Sequence, residues 1–99
     1  MYLIRDLFSA KPGKAGELVK KFKRAAPLMD EEGKYKYRIM TDISGPYWTV
    51  IMETEMPDLN EFVKETRGGG KPMPEVEEIM KDYHELVTGG KREIYLIED

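Results

Sequence analysis

Two strand-like runs of about nine residues, Tyr35 to Ile43 and Tyr47 to Glu55, flank the punctuator Ser44-Gly45-Pro46. Both are rich in β-branched and aromatic residues, which suit a pleated, half-buried surface, and a short Gly-Pro connection between such runs predicts a hairpin. A lone hairpin is at best marginally stable in water, so the flanking segments decide the fold. Tyr2 to Ser9 reads as a strand: Tyr2, Ile4 and Phe8 alternate with Leu3 and Leu7, and Arg5 and Asp6 interrupt the two series. Lys11-Pro12-Gly13 breaks this strand and opens a helix, proline being tolerated where the first N–H would have no partner.

From Gly13 to about Glu31 the period is helical. Ala15, Leu18, Val19, Phe22, Ala25, Ala26 and Met29 fall within roughly 120° of arc at ~100° per residue, and Lys20, Lys21, Lys23 and Arg24 lie outside it. Pro27 is expected to kink or restart the helix, and Gly33 to follow its end. In the hairpin, Tyr35, Tyr37, Ile39, Thr41 and Ile43 alternate with Lys36, Arg38, Met40 and Asp42. Its second arm sets Tyr47, Thr49 and Ile51 against Trp48, Val50, Met52 and Thr54. Asp58 with Glu61 three residues on predicts a capping box for a short helix through about Thr66, bearing Leu59, Phe62 and Val63 inward. The run Arg67 to Pro72, with Gly68-Gly69-Gly70, is expected to be a flexible hinge or lid. It lacks the spacing of a phosphate-binding loop. Pro74 starts a helix with Val76, Ile79, Met80, Tyr83, Leu86 and Val87 on its apolar face. Thr88-Gly89-Gly90 is expected to end it, and Lys91 to Glu98 forms a last strand.

The order β-α-β-β-α-β predicts an α+β, ferredoxin-like domain spanning residues 1–99, a four-stranded antiparallel sheet with both helices on one face. The other face cannot be fully polar, because every strand carries apolar residues on both sides. Arg38, Glu53 and either Arg5 or Asp6 are available to that face, and Met40 and Met52 are expected on its seam with a partner subunit.

The Lys11-Pro12-Gly13-Lys14 turn, the amphipathic helix ending near Glu32-Gly33, the central hairpin and the terminal Val87-Thr88-Gly89-Gly90-Lys91-Arg92-Glu93-Ile94 together resemble the dimeric α/β-barrel superfamily, in particular its NIPSNAP-like and antibiotic-biosynthesis-monooxygenase-like proteins. The resemblance covers nearly the whole chain. It implies a homodimer closed through the sheet faces, with any ligand cavity between a sheet and its own helices. Members range from cofactor-free oxygenases and isomerases to haem-degrading enzymes, so the fold does not supply the chemistry.

The totals exclude more than they assign. The chain has no cysteine and one histidine, which removes disulfides and thiolate chemistry and makes a typical zinc or non-haem iron site a poor fit; no cofactor is expected. No apolar run approaches the ~20 residues of a membrane helix. Met1 leads straight into a strand pattern, so no signal peptide and a cytoplasmic location are expected. A formal net charge of −3 argues against a general nucleic-acid binder. The run Tyr47 to Thr54 also lacks the basic and glycine-aromatic positions of RNA-stacking sheets. Three functions stay open: a small-molecule-binding barrel, a cofactor-independent monooxygenase- or isomerase-like enzyme, and a non-catalytic dimerisation or regulatory module. The candidate base is His84, at the edge of the apolar arc of the second helix. Trp48, Tyr83, Tyr37 and Arg38 are the candidate ligand-binding groups, the aromatics as a flat apolar surface and Arg38 as an anion partner. Each also has a structural reading, as a core, interface or cross-strand residue.

Overall fold

The computed structural model describes residues 1–30, 33, 35–67 and 73–98. The strands are β1 (Tyr2–Ala10), β2 (Lys36–Thr41), β3 (Thr49–Met56) and β4 (Val87–Leu96); the helices are α1 (Ala15–Met29), α2 (Leu59–Thr66) and α3 (Pro74–Ile79), followed by a 3₁₀ turn over Tyr83–Leu86. The strands form one antiparallel sheet in the order β2-β3-β1-β4, the ferredoxin-like arrangement. The hinge expected from Gly68 to Pro72 lies outside the described residues.

Alternation along the strands assigns two faces. Ile4, Phe8 and Val50 point toward the helices; Phe8 and Val50 meet Leu18 and Phe22 of α1 and Leu86 to make the core, while Ile4 is buried near Ala26 and Met29 of α1. Ile4, Leu18 and Val50 are fully buried, each contributing about 1.5–3 kcal/mol of transfer free energy. The rings of Phe8 and Phe22 lie 5.1 Å apart. Helix α1 buries Leu18, Phe22, Ala25 and Ala26 as its period predicts, whereas Met29 in its last turn is half exposed. It runs unbroken through Pro27, contrary to the expected restart, and Gly33 beyond it has a φ of 65° that suits glycine.

The second helical region departs from expectation. A continuous helix from Pro74 to Val87 does not form: α3 stops at Ile79, Asp82 adopts φ 66°, and Tyr83–Leu86 wind as 3₁₀. Lys21 of α1 caps the end of α3, donating from Nζ to the carbonyls of Ile79 and Lys81, each at 2.9 Å. Lys21 therefore meets backbone acceptors at a helix C-terminus. Thr88-Gly89-Gly90 is not a helix stop either but part of β4, paired with β1. A β-carbon on Gly90 would lie 2.5 Å from the carbonyl oxygen of Leu7, so only glycine allows this close pairing.

Candidate functional site

The faces of the sheet carry different chemistry. On the open face one row crosses all four strands: Arg38 of β2 opposite Glu53 of β3, Glu53 opposite Arg5 of β1, and Arg5 opposite Glu93 of β4. Arg38 Nε donates to Glu53 Oε1 at 2.7 Å, Arg5 Nε lies 2.8 Å from Glu53 Oε2, and Arg5 reaches Glu93 at 3.6 Å. Glu53 is the one charged residue among the buried residues described, at 6% exposure. Partly apolar rows flank this ladder: Met40, Ile51 and Leu7 followed by Lys91 on one side, and Leu3 beside Tyr95 on the other, where Lys36 and Glu55 complete the row. Met52 is not on this seam; it pairs with Ile39 and packs on the core of the helix face, opposite in direction to Met40.

On the helix face, β1 and β4 place Asp6 directly opposite Arg92. Arg92 Nε donates to Asp6 Oδ1, and the guanidinium lies 4.9 Å from the centre of the Phe62 ring on α2. These groups border a cavity of about 190 Å³ between the sheet and helices α1 and α2. Ile4, Met52 and Met56 form its floor, Ala26 and Met29 its α1 wall, and Phe62 its α2 wall. Polar groups converge on it from the sheet: Asp6, Tyr37, Thr54 and Arg92. A chiefly apolar hollow with a few fixed polar groups is the usual form of a small-molecule site, here below the size of a drug-sized pocket.

The residues singled out in the sequence do not converge. Tyr37 lines the cavity and also borders an open cleft of about 450 Å³, where Arg38 and Glu53 lie. Trp48 lies at the hairpin loop, lining a separate cleft of about 530 Å³ with Tyr47, Ala15 and Gly16. Its φ of 61° is a costly conformation for a bulky side chain. It is held by Ala10 N–H donating to its carbonyl at 2.8 Å, and by Thr49, whose N–H donates to Asp42 Oδ1 and whose hydroxyl donates to the Pro46 carbonyl. Tyr83 packs against the core, and His84 stacks on it at 4.1 Å while exposed to solvent. Neither lines any of these three spaces. Of the residues that line the cavity, Tyr37 alone was among the candidates; the polar edge of Asp6, Thr54 and Arg92 and the Phe62 wall were not. The signal for Arg92 was available in the pairing of the two terminal strands, which sets a basic residue opposite Asp6. Among the described residues no group of three or more His, Cys, Asp or Glu side chains could hold a metal ion, and no helix is long and apolar enough to cross a membrane.

No family model and no curated protein sequence matches the chain. Solved structures do. A NIPSNAP family protein from Agrobacterium tumefaciens superposes with a TM-score of 0.79 at 17% identity, over 99% of this chain and 93% of that one. An uncharacterised NIPSNAP-like domain protein from Burkholderia xenovorans gives 0.78 at 18% identity, over 98% and 84%. The fold is that of the NIPSNAP and antibiotic-biosynthesis-monooxygenase-like proteins. A candidate antibiotic biosynthesis monooxygenase from Deinococcus radiodurans completes the comparison, with a TM-score of 0.73 at 19% identity over 100% of this chain and 94% of that one. On this NIPSNAP-like scaffold the helix-face cavity and the charged open face are separate surfaces, back to back across one sheet.

Proposed function

We propose that this chain is a small-molecule-binding protein, working as a homodimer closed through the open sheet faces, with its ligand held between the sheet and helices α1 and α2. The helix-face cavity carries the reading: an apolar floor of Ile4, Met52 and Met56 under the polar edge of Asp6, Tyr37, Thr54 and Arg92. Burial of an apolar ligand body against the floor supplies affinity, and the polar edge orients one polar group. The partly apolar rows on the open face support the dimer, since they leave Leu3, Leu7, Met40 and Ile51 only partly covered in a single chain. His84 as a general base finds no support in the placement of the cavity, so binding is the reading we adopt over catalysis.

The test is a ligand-observed NMR screen of small neutral aromatics against the native protein and Ala26→Met. Ala26 is 4% exposed and lines the cavity, so the longer side chain occupies the space a ligand would take. Binding lost in the variant with the fold retained is the expected result. Binders that survive the substitution unchanged, or the absence of any binder, would refute the site.

A further inference from the structure

Helix α2 differs from the rest of the body in how little of it is packed. It contains no buried residue, and Val63 is 52% exposed, whereas α1 buries Leu18, Phe22, Ala25 and Ala26. Leu59, Glu61 and Phe62 are half-buried, and Phe62 lines the cavity with the exposed Glu65 and Thr66. Among the described residues, one side-chain hydrogen bond and one cation-π contact tie it to the body, and both use groups of the cavity wall: Tyr35 OH donates to Glu61, and the Arg92 guanidinium lies over Phe62. Arg92 in turn is held by Asp6 on the floor side. A short element with few buried contacts opens locally at much lower free energy than the core to which it is attached.

We infer that α2 is the lid of the cavity, latched by Tyr35 at Glu61 and by Arg92 at Phe62, and that it opens independently of the sheet and α1. The inference rests on the cavity being the ligand site and adds how that site is entered. A ligand touching Phe62 or Thr66 draws the lid shut, and a ligand competing for Arg92 loosens one latch as it binds.

The lid can be tested without a ligand, because Met52 and Met56 lie in the cavity and Met56 is 3% exposed. Low exposure should make oxidation of Met56 by hydrogen peroxide slow while α2 is in place and faster when it opens, and Met80, packed on the core away from the cavity, is the internal control. Amide exchange of residues 59–66 and oxidation at each methionine are followed by peptide mass spectrometry in the native protein, Tyr35→Phe and Glu61→Ala. Losing the Tyr35–Glu61 hydrogen bond should raise both α2 exchange and Met56 oxidation about 5- to 10-fold, with α1 exchange and Met80 oxidation unchanged. The two variants should agree, and their double mutant should add nothing further. Exchange of α2 at the same rate as α1 in the native protein overturns the inference, as does faster α2 exchange with unchanged Met56 oxidation. Failure of the ligand screen with these rates as expected would instead remove the binding reading and leave the mobile helix.

Discussion

Glu53 offers the most direct quantitative test of the open face. Its carboxylate is shared between two guanidinium groups, yet the two partners are not equivalent. The Arg38 side chain is 68% exposed and that of Arg5 is 29% exposed, while Glu53 itself is 7% exposed at its side chain. At 2.8 Å and an effective dielectric of about 20, the Arg5–Glu53 attraction is about 6 kcal/mol before desolvation. Desolvation of two partly buried ions takes back several kcal/mol, leaving roughly 2 kcal/mol. The Arg38 contact is a well-formed hydrogen bond, but solvent and salt screen it, so we assign it at most about 1 kcal/mol. Glu53→Gln, which keeps the shape and removes the charge, should therefore cost about 2–3 kcal/mol. In a domain of this size that lowers Tm by roughly 10–20 °C. Urea denaturation of Glu53→Gln, Arg5→Met, Arg38→Met and the two double mutants apportions the loss. The coupling of Glu53 to Arg5 should exceed its coupling to Arg38, and only the latter should fade in high salt. A cost below about 0.5 kcal/mol, or the reverse order of couplings, would refute the assignment of Glu53 as a buried anchor.

Gly90→Ala should destabilise the fold by about 2 kcal/mol or more, read from the urea midpoint, because the new methyl meets backbone at Leu7 rather than a side chain that can turn away. Lys21→Met should cost about 1–2 kcal/mol by the same measurement, since it leaves the carbonyls of Ile79 and Lys81 without their shared donor. Met40→Lys and Met52→Lys should separate the two faces. The first should fold and lower the dimer fraction in light scattering across a dilution series, whereas the second should leave the dimer fraction unchanged and lower the urea midpoint, since its charge enters the helix-face cavity beside Ile39 and Asp6.

Much of the fold was legible because alternation is a strong signal wherever one sheet face is buried. The series Ile4-Phe8 and Val50-Met52-Thr54 all fall on the helix face, and the α1 period placed Leu18, Phe22, Ala25 and Ala26 inward. The helix start at Pro74 was legible, but the course from Met80 to Gly90 was not, for two physical reasons. The apolar spacing is helical through Val87, but the helix stops at Ile79, whose carbonyl is capped by Lys21, 58 positions away, and no local pattern encodes that donor. Gly89-Gly90 looks like a helix stop, yet its cause is the backbone of Leu7 in another strand. The site was less legible still. His84 and Trp48 stood out as rare residue types, but rarity does not locate a cavity, and Arg92 is one of many charged residues until pairing puts it opposite Asp6.

The adjacent charges Arg5 and Asp6 show how the two surfaces divide. Consecutive strand residues point to opposite faces, so one cannot serve the same site as the other. Arg5 joins the open-face ladder with Glu53 and Glu93, where both signs alternate across the sheet and cancel. In the proposed dimer, a second copy meeting this face in a twofold arrangement would find complementary charge only in a narrow set of registers, so the ladder would select the mode of docking while the neighbouring apolar side chains would supply the area. Asp6 turns instead to the cavity, where Arg92 satisfies it and is itself tied to the α2 helix through Phe62. On the lid and dimer proposed above, the electrostatics of the cavity would be coupled to the position of α2, and those of the open face to assembly. Exchanging Asp6 for Asn should thus loosen α2 and leave the dimer intact, and Arg5→Met should do the opposite; amide exchange of residues 59–66 and light scattering on the same two variants would expose any cross-talk that contradicts this division.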